Sequence, residues 1–136
     1  MAIVQTFEAC LESPYLTRDD SAADRVGELL TKAADRLDAA ATLAANPKGD
    51  PTDLCLLCYE AMFCCLRALV YRKGYREAGL RCLLLACETL YVRPGLLDPY
   101  HLQNFGAVQR LTLPPDETLD AASAFVKRTL KLLQDN

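Results

Sequence analysis

Four of the seven cysteines in this chain fall in one stretch, "DLCLLCYEAMFCCLRALVYRKGY", residues 53–75. Cys55 and Cys58 form a C-x-x-C pair, Cys64 and Cys65 are adjacent, and Cys82 and Cys87 stand five apart further on. Such residues could bind zinc or cycle between dithiol and disulfide. A structural zinc needs four ligands, commonly two C-x-x-C pairs or two cysteines with two histidines. Adjacent cysteines on a helix diverge by about 100°, and the chain has a single histidine, His101. A thioredoxin-type dithiol sits at a helix start directly after a strand, and no strand is expected before Cys55. The spacing therefore favours cysteine as a small hydrophobe among leucines and alanines, and no metal or other cofactor is expected. The odd cysteine count and an opening "MAIVQTFEAC" without a basic, long apolar leader predict free thiols and a cytoplasmic location.

The other chemistry-bearing residues are charges and the lone imidazole. Asp53, Glu60 and Arg67 recur every seven residues inside the apolar stretch, on one slowly drifting helical stripe. That stripe is either a narrow solvated line or a polar line facing a cleft or a dimer axis. Arg67, Arg72, Lys73, Arg76 and Arg81 form a local basic cluster, readable as a solvated helix end or as an anion- or RNA-facing patch. Residues 1–60 carry net charge −6 and residues 61–136 carry +3, so the chain as a whole, at −3, is no polycation. Candidate binding residues are Glu60, Arg67, Arg72 and Arg76. His101 follows Tyr100 and has no serine or cysteine partner nearby. No phosphate-cradling, nucleophile-elbow, metalloprotease or dinucleotide motif occurs.

These residues must be positioned by helices. At 136 residues and 51% hydrophobic composition, one domain with its own core is expected. Residues 1–20 read as a lead-in, with a short helix or strand before Pro14. Val26, Leu29, Leu30, Ala33, Leu37, Ala41 and Ala44 form one apolar face of a helix over 22–45. "NPKGDP" ends it. Asp50 as cap and Pro51 at the first position start a second helix, to about residue 73, with Gly74 as its left-handed stop. This helix is apolar almost all round, so it is central or lies at an oligomer interface. Its charges interrupt any run long enough to span a membrane, and no membrane association is expected. Further helices are predicted over 76–92, 99–111 and 117–133. No alternating strand pattern of any length is visible. The expected fold is all-α: an antiparallel up-and-down bundle of four main helices plus a shorter one.

At "YEAMFCCLRALVYRKGY", Tyr59, Ala61, Met62, Phe63, Arg67, Ala68, Leu69, Lys73 and Gly74 resemble the second main helix of HEPN domains. The last helix, "PPDETLDAASAFVKRTLKLL", and the first are similar to that family's too, so the resemblance spans about residues 22–134. It implies a helical bundle that usually dimerises, often paired with a nucleotidyltransferase in toxin–antitoxin systems. Other members are ribonucleases using an Arg and a His a few residues apart at a dimer cleft. In this chain Arg93 precedes His101 with seven residues between, and Pro94 follows the arginine. The favoured expectation is a non-catalytic interaction or ligand-binding module, a homodimer through the second helix or its neighbours, with Arg67 as the site residue and a nucleotidyltransferase or other protein as partner. The alternative is a metal-independent ribonuclease acting on RNA, with Arg93 binding phosphate and His101 moving the proton.

Overall fold

A computed structural model describes residues 5–134. Within it the chain is predominantly helical. Helix α1 (Phe7–Leu11) leads to a short strand β1 (Leu16–Arg18) and a 3-10 segment (Asp20–Arg25) that runs into α2 (Val26–Ala44). Helix α3 (Pro51–Arg72) follows, then strand β2 (Tyr75–Glu77), α4 (Leu80–Cys87), a π-helical turn (Glu88–Val92), α5 (Tyr100–Gln109) and α6 (Pro115–Gln134).

The local start and stop signals operate as read. Asp50 Oδ1 accepts from the Thr52 amide at 2.8 Å, and Pro51 opens α3 where a missing N–H costs nothing. Gly74 ends the segment at φ 84, a conformation that glycine adopts without a Cβ clash. Helix α3 is the axis of the core. Cys58, Ala61, Met62, Cys65, Leu66, Ala68, Leu69 and Val70 are fully buried along it, and it packs against α2, α6, α4 and α5. By length and mean hydropathy α3 could also cross a membrane, but 67% of its most apolar window is covered by the rest of the chain. A core helix of this kind passes the same test.

Three expectations are corrected. First, a strand pair exists. β1 and β2 run antiparallel with Leu16 opposite Glu77, Thr17 opposite Arg76 and Arg18 opposite Tyr75. Three residues per strand are too few to show an alternating pattern, and most of their stability comes from tertiary neighbours. Leu16 is buried, and Phe7 meets Tyr75 edge-on with ring centroids 5.3 Å apart. Second, the helix expected from residue 76 begins at Leu80, because residues 75–77 are in the ladder. Third, not all thiols are free. Cys10 and Cys82 form a disulfide between α1 and α4, Cα–Cα 5.7 Å, across 72 residues of sequence. Cys10 lies in the lead-in, whose placement the helical periodicity could not predict. Cys55, Cys58, Cys64, Cys65 and Cys87 are free and buried.

The π turn has a visible use. Its widened register ends with the Arg93 amide donating to the Glu88 carbonyl at 2.9 Å. Within it Tyr91 is buried and its hydroxyl donates to the Leu69 carbonyl in the last turns of α3.

Candidate functional site

Helix α3 leaves one stripe uncovered. Leu56, Tyr59, Glu60, Phe63 and Arg67 recur at three and four residues and are the outward positions between α2 and α5. Two adjoining hollows lie along this stripe and share Tyr59. One, of about 170 Å³, is lined by Cys55, Leu56, Tyr59, Val108, Gln109 and Leu111. The other, of about 250 Å³, is lined by Lys32, Tyr59, Glu60, Phe63, Cys64 and Arg67. The stripe is thus apolar at one end and cationic at the other. Tyr59 is braced by stacking on Phe105, centroids 5.2 Å apart, and by an edge contact with Phe63 at 5.8 Å.

Arg67 is held rather than loose. Its Nε donates to Glu77 Oε2 at 3.0 Å, and its guanidinium lies 4.5 Å from the centre of the Phe63 ring. The Glu77 side chain is only 6% exposed, against 37% for Arg67. Glu77 also accepts from the Tyr71 hydroxyl. Burial, and then this bond, push the Tyr71 hydroxyl up to about 12. β2 therefore supplies a buried carboxylate that fixes Arg67 with one edge turned toward solvent.

The remaining sequence candidates do not converge on Arg67. Glu60 Oε2 accepts from Arg36 Nε at 2.7 Å, an exposed bridge to α2. Arg72 turns to α6, where its Nη2 donates to the Leu133 carbonyl at 2.7 Å and satisfies the last turn of that helix. Arg76 is exposed, with Nη1 3.8 Å from Asp19 Oδ2. Lys73 lies 5.5 Å from the Tyr91 ring centre. The basic cluster of the sequence is dispersed because helix, turn and strand send successive residues in different directions.

Arg93 and His101 differ sharply in environment. Arg93 is exposed after the π turn, while His101 is 4% exposed. The His101 ring is stacked on Phe125, centroids 5.3 Å apart, and tilted against Tyr100 at 4.1 Å. Arg93 does not line the hollow that His101 lines. Burial lowers the imidazole pKa below its ordinary 6.5; Asp98 opposes that shift and Arg128 adds to it.

Three of the free thiols are unreactive in character. Burial pushes Cys58, Cys65 and Cys87 each up to about 12, far from the thiolate that nucleophilic or redox work needs. Among the described residues no group of three or more His, Cys, Asp or Glu side chains is placed to hold a metal ion.

Sequence reasoning missed Lys32, Leu56, Glu77 and Leu111. Leu111 carried a faint signal, since a leucine stands where a glycine would suit the end of α5. Its φ is 57, and the Leu111 and Thr112 amides donate to the Val108 and Ala107 carbonyls at 3.1 and 3.0 Å. This is a Schellman stop built on a residue that resists the left-handed conformation by about 1–2 kcal/mol. No family model matches the chain, and no characterised protein or solved structure matches it significantly.

Proposed function

We propose that the chain is a non-catalytic, HEPN-like helical-bundle module that acts by association, with the outward stripe of α3 as its contact surface. The supporting observation is the exposure of Leu56 and Leu111, at 53% and 65%. Both line the same hollow, and the stripe continues from it to the braced Arg67. Leu111 closes α5 with its backbone, but its exposed side chain buries nothing in the monomer while the left-handed conformation is strained, and such features concentrate at functional contacts. The occupant proposed is a second copy of the chain. A twofold contact presents the same patch twice, and this patch carries its own complements: apolar Leu56 and Leu111, acidic Glu60 and basic Arg67. The resemblance adds a nucleotidyltransferase or other protein, in a toxin–antitoxin setting, as the partner of such a dimer.

Sedimentation equilibrium tests the proposal. The wild-type chain is expected to sediment as a dimer at micromolar concentration, and Leu56→Glu with Leu111→Glu to sediment as a monomer with an unchanged circular dichroism spectrum. A wild-type chain that remains monomeric at all concentrations removes the self-association.

A further inference from the structure

A third hollow, of about 500 Å³, lies at the start of α5 on a different part of the molecule. Leu96, Leu97, Pro99, Tyr100, His101 and Arg128 contribute to its lining, together with the carboxylate-bearing Asp98. His101 is 4% exposed, yet its Nδ1 is buried without a hydrogen-bond partner. A buried imidazole nitrogen left unpaired costs stability and marks a bond not made within the chain. Arg128 reaches in from α6. Its Nη2 donates to the Leu96 carbonyl at 2.8 Å, which fixes the guanidinium and uses one of its five N–H donors.

The backbone at this helix start is already satisfied. Asp98 Oδ1 accepts from the Tyr100 amide at 2.9 Å, and the His101, Leu102 and Gln103 amides donate to the Asp98 and Pro99 carbonyls. The end of α5 therefore offers an anion little, and Arg128 is the available anchor. A guanidinium pairs with a carboxylate or a phosphate through two parallel N–H···O bonds. Asp98 on the same lining opposes a second negative charge. Tyr100, exposed at its ring, and the apolar walls of Leu96, Leu97 and Pro99 suit a flat apolar body.

We propose that this hollow binds a small aromatic monocarboxylate, its carboxylate on Arg128 and its ring against Tyr100, beside His101. The site is separate from the α3 stripe and stands whether or not the chain dimerises there.

The test uses the full chain labelled with nitrogen-15, titrated with benzoate while the His101 ring and backbone resonances are followed. Phenyl phosphate, which carries a second charge, and benzyl alcohol, which carries none, serve as comparators. Benzoate is expected to give saturable shifts centred on Tyr100, His101 and Arg128, with a Kd of roughly 1 mM or below. Arg128→Gln is expected to weaken benzoate about tenfold or more while leaving its own spectrum otherwise native. Shifts that stay linear in benzoate overturn the site. Equal benzoate affinity in Arg128→Gln overturns the anchor, and tighter binding of phenyl phosphate or benzyl alcohol overturns the choice of a single negative charge.

Discussion

Replacing Cys10 and Cys82 with alanine opens a covalent loop of 72 residues that contains β1, α2, α3 and β2. In the chain-entropy treatment, closing a loop of that length restricts the unfolded chain by about 15 cal/mol/K, or about 4.4 kcal/mol at 25 °C. Strain and residual order in the unfolded chain reduce such values, so the expected loss is about 3–4 kcal/mol. The measurement is urea unfolding of the wild-type protein with and without a thiol reductant, and of Cys10→Ala/Cys82→Ala. With a slope of about 2 kcal/mol/M for a domain of this size, the midpoint should fall by about 1.5–2 M. The lead-in has other anchors in the β1–β2 ladder and the Phe7–Tyr75 contact, so the variant should remain folded in water with a native helical spectrum. Coincident curves for oxidised, reduced and variant protein would refute the reasoning, as would an intact mass showing two extra hydrogens in the untreated chain.

Three further outcomes are expected. Glu77→Gln leaves Arg67 and Tyr71 without their shared buried carboxylate; with Arg67 partly solvated, the cost in urea unfolding should be about 1–2 kcal/mol, and the Tyr71 hydroxyl should titrate lower than in wild type. His101 binds its proton more weakly folded than unfolded, so the unfolded state takes up protons first as pH falls; stability should be full above about pH 6.5, decline below it until the folded imidazole titrates, and lose that limb in His101→Asn. Cys58, Cys65 and Cys87 should react slowly with Ellman's reagent in the native protein at pH 8, because they are held near 12; unfolding without reductant should release five thiols, matching the five free cysteines, and a count of seven would contradict the disulfide.

Much of the helical frame was legible because it rests on local chemistry. Asp50-Pro51 and Gly74 mark the ends of α3, and its all-round apolar surface announced a central position. The failures share a cause. The β1–β2 ladder, the Cys10–Cys82 link and the Glu77–Arg67–Tyr71 cluster join residues from distant parts of the sequence or adjacent elements of unlike geometry, and no periodicity carries that information. Arg67 stood out in the sequence as a charge within the apolar helix, but the carboxylate that fixes it was invisible. Arg72 and Arg76 looked like its companions only because they are near in sequence. His101 had no expected acid–base partner, and its closest relations prove to be aromatic rings.

The two three-residue strands also bear on the order in which the molecule assembles. Leu16 must find Glu77 across some sixty residues, and such a distant closure is entropically slow. Helices α2 and α3 are neighbours in sequence and share the most extensive contact in the fold. Their hairpin should form first, bringing residues 16–18 within reach of residues 75–77, with α1 and the disulfide locking last. Mutations in the α2–α3 contact should then slow folding, whereas changes at Leu16 or Cys10 should chiefly hasten unfolding.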